Sequence, residues 1–225
     1  MITLAIDTAF DACSAAILSG GDVLWAEQKI IGKGHSEVLP PMVAAGLRAS
    51  GVAPKEIARI GVVVGPGAFA GVRVGLAFAR AFRLGLKADV AGITSHEALA
   101  ASLPPGVGLI ATVFDARRGQ VYAALHDADL RELTAPFVAT PSEAAARLSA
   151  AAAGGARLRV AGSGTALVAF DLRFTDEPLR YADPAAIARR AALRAPAGAL
   201  PAPLYLRPPD AAPSKGSLFD GLSPS

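Results

Sequence analysis

Cysteine and histidine are scarce in this sequence. The 225 residues include one Cys, Cys13, and three His, so a disulfide within the chain is excluded and the Cys and His clusters that bind structural zinc are missing. A lone thiol fits a reducing compartment, and residues 1–10 lack the basic stretch and long apolar run of a secretory signal. We therefore expect a cytoplasmic protein.

Long apolar runs and charge of one sign are scarce as well. No uninterrupted apolar run reaches the length needed to span a bilayer, which predicts no contact with a membrane. Lys and Arg total 22 against 19 Asp and Glu, a net charge of +3, and the arginines are scattered, so direct binding to RNA is not favoured. The chain is instead rich in hydrophobic residues, at 52%, which is enough to bury a full core.

Strands and helices follow the same order in both halves of the chain. The first half predicts strands at 2–7, 12–19 and 22–30, a helix at 36–50 capped by Ser36, a strand at 57–65, a helix at 71–88, a strand at 89–93 and a helix at 95–103. The second half predicts a hairpin around 117–119, a strand at 131–140, a helix at 141–155 with a capping box, a strand at 156–164 and a helix from 184. This repeated pattern is typical of a duplicated ribonuclease-H-like α/β fold, the architecture of actin, sugar kinases and Hsp70.

The middle of the chain carries a break at Pro104, Pro105 and Gly106. We place a boundary there between an N-terminal subdomain at 1–104 and a smaller C-terminal subdomain at 105–210. Residues 211–225 have the composition of a disordered tail.

A glycine-rich loop joins a strand to a helix in the stretch VVVGPGAFAGVRVG at 62–75. Gly65, Gly67 and Gly71 permit close approach of the backbone, and the helix after the loop directs its N-terminal dipole toward it. The spacing matches neither G-x-x-x-x-G-K-[ST] nor G-x-G-x-x-G. Two interpretations stay open: the loop contacts an anion or a nucleotide, or its glycines let the helix pack tightly on the strand.

Asp7 ends the first strand, where a carboxylate can hold a hydrated magnesium ion. The turn after it contains Ala9, Phe10 and Asp11 instead of the small residues that let backbone N–H groups face a phosphate. The alternative is that Asp7 hydrogen-bonds the turn itself, and this interpretation fits the bulk and negative charge of the turn better.

Six segments carry a resemblance to a known family. They are AIDTA at 5–9, GHSEVLP at 34–40, GPGAFAGVRVG at 65–75, GITSHEAL at 92–99, DARRGQVY at 115–122 and PLYLR at 203–207. Together they resemble the TsaB (YeaZ) family over nearly the whole chain up to Arg207. The resemblance implies a bacterial subunit that binds the related catalyst TsaD. With TsaD and the ATPase TsaE, it supports transfer of a threonylcarbamoyl group to N6 of the adenosine next to the anticodon in tRNAs that read codons beginning with A.

The resemblance also implies what this chain has lost. TsaD relatives hold a metal with two histidines four residues apart, and the corresponding positions here are Ser95 and Leu99. His96 is one residue out of register, which is about 100° around a helix. We expect no metal site and no catalytic residue, because His35, His126 and Cys13 also lack identifiable catalytic partners. No cofactor is expected beyond ATP, ADP or Mg²⁺ in the complex with the partner.

Two helices of the N-terminal half have more apolar surface than one core face uses, which predicts a protein contact. In the family, these helices form the contact of both the homodimer and the heterodimer with TsaD. A rim of arginines suits an interface, although solvated helix charges are an equally good interpretation of them. The predicted contact residues are Val38, Met42, Val72, Arg73, Leu76, Phe78, Ala79, Arg80 and Arg83.

The sequence therefore predicts a non-catalytic subunit whose partner is a TsaD-like protein. A TsaE-like ATPase and tRNA are reached through that complex, and a homodimer is a candidate state of the isolated chain. Two rival functions stay open. One is an ATP-dependent phosphotransferase that uses Asp7 and the loop at 65–71, and the other is a glycoprotease-like zinc peptidase.

Overall fold

The chain forms two five-stranded sheets flanked by helices. The computed structural model describes residues 1–86, 88–152, 157–196 and 198–207. The first sheet contains β1 (Ile2–Asp7), β2 (Ala12–Ser19), β3 (Asp22–Ile30), β4 (Ile57–Val63) and β5 (Asp89–Ile93), and the second contains β6 (Leu109–Arg117), β7 (Gln120–His126), β8 (Glu132–Ala139), β9 (Leu158–Ala161) and β10 (Phe174–Asp176). The α-helices of this part of the chain are α1 (His35–Ser50), α2 (Phe69–Leu84), α3 (Ser95–Ala100), α4 (Pro141–Ala151) and α5 (Pro184–Leu193). None of them is both long and apolar enough to cross a bilayer.

Both sheets have the same strand order and the same strand directions. The orders are β3-β2-β1-β4-β5 and β8-β7-β6-β9-β10. In each sheet the first three strands form an antiparallel meander, and the fourth and fifth strands run parallel to the first. This repetition confirms the predicted duplicated ribonuclease-H-like α/β fold.

Local sequence signals account for most element boundaries, with a few differences. The capping box of α4, formed by Thr140 and Glu143, is present as predicted, and the predicted end of that helix at 155 lies outside the described residues. Helix α1 is capped by Gly34 with φ 84° and not by Ser36. It runs through Pro40 and Pro41 without ending, because burial of its inner face against the first sheet outweighs the loss of two backbone donors. Strand β10 was not predicted, and the predicted tail at 211–225 lies outside the described residues.

Helices cover both faces of the first sheet. Gly46 of α1 lies directly against the ring of Trp25 in β3, and a Cβ at Gly75 of α2 would lie 3.5 Å from Val62 in β4. The strand register puts Trp25 and Val62 on the same face. On the opposite face, a Cβ at Gly61 would lie 2.5 Å from the side chain of Ala191 in α5. Two helices therefore cover one face of this sheet, and α5 covers the other.

Two helices leave the subdomain to which the sequence assigned them. Helix α3 lies within residues 1–104 yet packs on β6 and β7 of the second sheet, where Leu99 joins the cluster around Phe114. Helix α5 lies within 105–210 yet packs on the first sheet, where Ile187 is fully buried. The contiguous division at 104 is therefore wrong for both helices, since each half of the chain contributes its last helix to the other. We call the first sheet with α1, α2 and α5 the first lobe, and the second sheet with α3 and α4 the second lobe.

The packing of α5 on the first sheet predicts how a cavity at that contact changes the stability of the chain. Ile187→Ala removes a fully buried side chain and is expected to lower the free energy of unfolding by about 2–4 kcal/mol, because the first-lobe core loses contacts and gains a void. Leu193→Ala in the same helix, 76% exposed, is the control and should change stability little. Urea denaturation measures both, and equal small effects would contradict the packing of α5 on the first sheet.

Candidate functional site

A cleft of about 600 Å³ opens between the two lobes. Its lining comes from the β1–β2 turn, the glycine loop before α2, the β6–β7 hairpin and residues 204–207, together with Tyr122, Ser163 and Tyr181. The β1–β2 turn and the β6–β7 hairpin occupy equivalent places in the two sheets, so the duplicated fold contributes corresponding loops to the cleft. The stacked rings of Phe10 and Phe114, with centroids 4.4 Å apart, join the lobes at the cleft.

An ion pair also crosses the cleft. The guanidinium of Arg117 on the β6–β7 hairpin lies 3.5 Å from the carboxylate of Asp11 on the β1–β2 turn and 3.2 Å from that of Asp115. The hydroxyl of Tyr181 donates to the same Asp11 carboxylate at 3.3 Å, and burial, together with Asp11, raises the pKa of Tyr181. The negative charge of the first turn is therefore held by residues of the following half of the chain.

The β6–β7 hairpin adopts an unusual backbone at the cleft. Arg117 and Arg118 have φ angles of 62° and 56°, and Gly119 has 69°. A two-residue turn at 118 and 119 needs positive φ at both positions, which Asn and Gly tolerate much better than Arg. A side chain other than Gly, Asn or Asp in this region costs of order 1 kcal/mol or more. The hairpin therefore places two arginines at the cleft at the expense of backbone stability.

The segment 200–207 runs across both lobes beside the cleft. Leu204 donates its backbone N–H to the carbonyl of Val64 in the first lobe at 2.8 Å. Arg207 donates to the carbonyl of Ala116 in the second lobe at 2.7 Å, and its guanidinium lies 5.9 Å from the ring centroid of Tyr122. The Nε of Arg207 is buried without a hydrogen-bond partner. This segment closes one side of the cleft and connects the two lobes.

Two arginines predicted at a partner interface contact this segment. Arg73 donates to the hydroxyl of Tyr205 at 3.1 Å and lies 3.6 Å from the ring centroid of Phe69. Arg80 donates to the carbonyl of Pro201 at 3.1 Å. These contacts fasten the segment 200–205 along α2. Both side chains stay exposed, so their contact with a partner stays a prediction.

The glycine loop is packed against the β1–β2 turn. A Cβ at Gly67 would overlap the carbonyl of Ala9, and one at Gly71 would overlap that of Thr8. Gly65 has φ 102°, and a Cβ there would lie 2.8 Å from the carbonyl of Leu204. Of the three glycines only Gly67 lines the cleft. The packing interpretation therefore describes Gly65 and Gly71, and an anion contact stays a prediction for the backbone of Gly67.

Asp7 lies beneath the cleft rather than in its lining. Its side chain is buried, and Oδ1 accepts the backbone N–H of Ala9 at 2.8 Å. Burial raises the pKa of Asp7 to about 6, against a smaller lowering by the backbone hydrogen bonds from Ala9 and Thr8. A carboxyl that bonds its own turn and does not line the cleft is poorly placed to bind magnesium there, so the structure favours the turn-stabilising interpretation.

Ser95 and Leu99, where the resemblance predicts the counterparts of metal ligands, are used for packing. Ser95 donates its hydroxyl to the carbonyl of Pro66 at 2.7 Å, and Leu99 is fully buried in the core. His96 is fully buried and bonds Thr112 Oγ1 through Nδ1 at 2.8 Å, and burial, with a smaller effect of His126, lowers its pKa to about 3. Within the described residues, no three His, Cys, Asp or Glu side chains are grouped to bind a metal. These residues do not fit the metal of the TsaD relatives.

The predicted partner residues divide between the core and the surface. Met42, Val72, Leu76 and Ala79 are at most 3% exposed, because the inner faces of α1 and α2 pack on the first sheet. These four are corrected to core residues and cannot contact a partner in the folded chain. Val38, Phe78 and Arg83 are half-buried, and their contact with a partner stays a prediction.

Sequence reasoning missed the charged part of the cleft. The sequence predicts a hairpin around 117–119 and a family motif at 115–122, but it predicts no site role for the residues of that hairpin, for Tyr181 or for Arg207. One signal was available for the hairpin, since two arginines before Gly119 are unusual in a tight turn. Tyr181 and Arg207 carry no comparable local signal, because their place at the cleft depends on contacts with distant parts of the chain.

Comparisons with known proteins identify the family. The family model described as TsaD, tRNA N6-adenosine threonylcarbamoyltransferase, matches residues 28–172. Proteins named tRNA threonylcarbamoyladenosine biosynthesis protein TsaB are similar to this chain: that of Bacillus subtilis at 36% identity over 126 residues and that of Escherichia coli at 34% over 131. The chain belongs to the TsaD-type family, in its TsaB (YeaZ) group.

The extent of these matches differs between sequence and structure. The alignments cover 56% and 57% of this chain and 55% and 56% of the two TsaB proteins, so the chain spans about half the length of the curated relatives it matches. A Pseudomonas aeruginosa crystal structure, described as an uncharacterized protein with similarity to peptidase YeaZ, has a TM-score of 0.77 at 26% identity and covers 92% of this chain and 99% of its own. The TsaB-type fold therefore extends over both lobes.

The packing of the glycine loop can be tested at Gly71. An alanine in the first turn of α2 would raise helix propensity by about 1 kcal/mol, yet its Cβ would overlap the Thr8 carbonyl. We therefore expect Gly71→Ala to lower the free energy of unfolding by about 2 kcal/mol or more. Gly21→Ala has nothing within 4 Å of the added Cβ and serves as the control in thermal or urea unfolding. Stabilisation by Gly71→Ala would contradict the close contact.

The raised pKa of Asp7 predicts a pH dependence of stability. The folded chain holds this proton more tightly than the unfolded chain, whose ordinary carboxyl pKa is 3.8. The contribution of protonated Asp7 to the free energy of unfolding is fully present below pH 3.8 and is lost as the pH rises through about 6. The loss amounts to about 3 kcal/mol at neutral pH. Asp7→Asn keeps an acceptor for the Ala9 N–H and removes the titration, so the variant should gain stability over the wild type between pH 4 and 7.

Urea denaturation as a function of pH measures this difference. Asp22→Asn changes an exposed carboxylate and is the control that should follow the wild type. A constant difference between Asp7→Asn and wild type across pH 4–7 would show that Asp7 is ionised in the folded chain throughout.

Proposed function

We propose that this chain is a non-catalytic subunit that supports threonylcarbamoyladenosine formation in tRNA by binding a TsaD-type protein. The observation that carries the proposal is the conversion of the metal-ligand positions into packing, with Ser95 bonded to Pro66 and Leu99 buried, in a chain that keeps the family fold. The names of the TsaB relatives support the pathway. In this proposal the TsaD-type protein carries out the chemistry, and this chain provides a surface that binds it.

The proposed partner surface is the outer side of α1 and α2. Four half-buried apolar side chains define it, and we call them the partner face: Val38, Val74, Phe78 and Phe82. Each packs against the first-lobe core with part of its surface, and the rings of Phe78 and Phe82 stack with centroids 5.6 Å apart. Exposed apolar surface of this kind is typical of a protein contact. The same face is a candidate for self-association when the partner is missing.

The other components of the proposed complex act through the partner. In the proposal, a TsaE-like ATPase and tRNA bind the complex and do not bind the partner face. The complex acts in the cytoplasm, where tRNA is modified. No cofactor of this chain's own is part of the proposal, and ATP or ADP with Mg²⁺ would enter only where the partner is bound.

Both rival functions conflict with the geometry of the residues they need. A phosphotransferase that uses Asp7 and the loop at 65–71 would need a carboxylate that faces the cleft, whereas Asp7 bonds its own turn. The description of the Pseudomonas aeruginosa relative as similar to a peptidase favours a metallopeptidase, yet Leu99 has no ligating atom. Elemental analysis tests this rival, since one zinc per chain in protein purified without added metal would contradict the proposal.

A variant of the partner face tests the contact. Phe78→Glu puts a charge on a half-buried apolar surface and should reduce co-purification with a TsaD-type protein at least tenfold, because an unpaired charge would be buried in the contact. Leu193→Glu places the same charge on an exposed residue of α5, across the first sheet from α1 and α2, and should leave co-purification unchanged. Circular dichroism confirms that both variants are folded. Equal recovery of the partner with both variants would show that the contact lies elsewhere on the chain.

A reconstituted reaction tests the biochemical role. A TsaD-type protein, a TsaE-type ATPase and tRNA are combined with and without this chain, and threonylcarbamoyladenosine is measured by mass spectrometry of digested tRNA. We expect modification to require the chain, to fail with Phe78→Glu and to persist with Ser95→Ala, because Ser95 has a packing role. Loss of modification with Ser95→Ala in a folded chain that still binds the partner would indicate a catalytic role for this chain.

A further inference from the structure

Strand β3 is an open edge of the first sheet. It pairs with β2 along one side, and no other strand of the described part of the chain lies along its second side. Seven of its nine residues are exposed, so this second side is accessible. Backbone N–H and C=O groups along such an edge can bond a further strand.

The other sheet edges carry features that limit pairing. Strand β10 has only three residues, β8 contains Pro136 and two register shifts, and three of the five residues of β5 are buried. Short strands, proline and a covered edge all disfavour the addition of a strand. Strand β3 contains no proline, and its one register shift leaves Leu24 as an extra residue near its start. Residues 26–30 therefore form a regular, accessible edge.

Two opposite charges occupy this part of β3. Glu27 and Lys29 are two residues apart, so they lie on the same face of the sheet, and their side chains form an ion pair at 2.7 Å. A lysine on an edge normally disfavours pairing, because a second copy of the strand would bring the same charge. A lysine two residues from a glutamate is different, since the two can exchange partners with an identical strand.

The symmetry of a dimer decides which residues would meet. A two-fold axis perpendicular to the sheet pairs β3 with the β3 of a second copy in antiparallel orientation and keeps every side chain on its own face. The pairing is therefore centred on one residue and its copy. When Gln28 is the centre, Glu27 of each copy lies opposite Lys29 of the other. Centring on Glu27 or on Lys29 places like charges opposite each other, which is destabilising.

The opposite face of the strand fits the same register. With Gln28 at the centre, Ile30 of each copy lies opposite Ala26 of the other. Ile30 is 61% exposed and Ala26 is exposed as well, so pairing would remove apolar surface from water. Leu24, the extra residue at the register shift, lies outside the paired stretch 26–30.

We propose that two copies of this chain associate through β3, in the antiparallel register centred on Gln28, and so join their first sheets. Two ion pairs between Glu27 and Lys29 of different copies, together with backbone hydrogen bonds along 26–30, would hold the contact. It uses none of the residues of the partner face, which belong to α1 and α2. Five residues from each strand make a small contact, so we expect a weak dimer that forms reversibly with concentration.

Reversal of single charges tests the register. Sedimentation velocity of the full chain, over about 1–200 µM, should show a dimer for the wild type. Glu27→Lys leaves two lysines on the edge of each copy, and Lys29→Glu leaves two glutamates. Each variant places like charges opposite each other twice in the dimer, so each should weaken dimerisation about tenfold or more. Circular dichroism confirms that both variants are folded.

A mixture of the two variants separates contact between copies from the ion pair within one chain. Glu27→Lys and Lys29→Glu both lose the pair within the chain, but together they present two lysines to two glutamates. An equimolar mixture should therefore recover a dimer with one copy of each variant, at least as tight as that of the wild type. High salt should weaken this mixed dimer.

Matched controls carry the same charge changes elsewhere. Glu132→Lys lies on β8, at the edge of the second sheet, and Lys55→Glu lies before β4, and both positions are exposed. Each should dimerise as the wild type does, and their mixture should show no added association. Phe78→Glu should also keep the dimer, because this variant changes only the partner face.

Three results would overturn the inference. They are a wild type that stays monomeric over the whole concentration range, single variants that dimerise as well as the wild type, and a mixture that does not associate. A dimer lost in Phe78→Glu but kept in Glu27→Lys would place self-association on the partner face and would likewise overturn it. The proposed function is measured separately, by co-purification with a TsaD-type protein, and does not depend on this outcome.

Discussion

The exchange of helices between the lobes is the constraint on which the rest of the molecule depends. Helix α3 packs on the second sheet and α5 on the first, and the buried carboxylate of Glu97 joins them through ion pairs with Arg190 and Arg194. Separating the lobes would leave each helix on its own sheet, but it would break the ion pairs that join Glu97 of α3 to Arg190 and Arg194. The cleft between the lobes therefore belongs to a single folded body, and its arginines are held in place by the same packing.

The glycine loop before α2 is packed tightly against the β1–β2 turn. Its glycines are required because the backbone of the β1–β2 turn lies in contact with them, and the Ala68 N–H bonds the Ala9 carbonyl at 2.7 Å. These contacts with the β1–β2 turn account for the glycines without a ligand. The polar side of the cleft is supplied instead by the β6–β7 hairpin and the segment 200–207, which have no part in the glycine motif.

Helix α2 makes different contacts on each of its sides. Its inner side is core, and Arg73 and Arg80 fasten the segment 200–205 along another side. Its outer side carries Phe78 and Phe82 of the partner face, while its first turn lines the cleft.

Features that depend on neighbouring residues were determined by the sequence itself. The capping box of Thr140 and Glu143, the helix end at Gly51 and the repeated order of strands and helices follow from turn chemistry and periodicity, which act over a few residues. Only the tertiary structure decided that α3 and α5 exchange lobes, that Leu76 is core while Phe78 is surface, and that Arg207 reaches the cleft. These outcomes depend on contacts between segments far apart in the chain, as with Arg207 and Ala116, which are 91 residues apart. No local pattern encodes which of several apolar or charged faces such a contact covers.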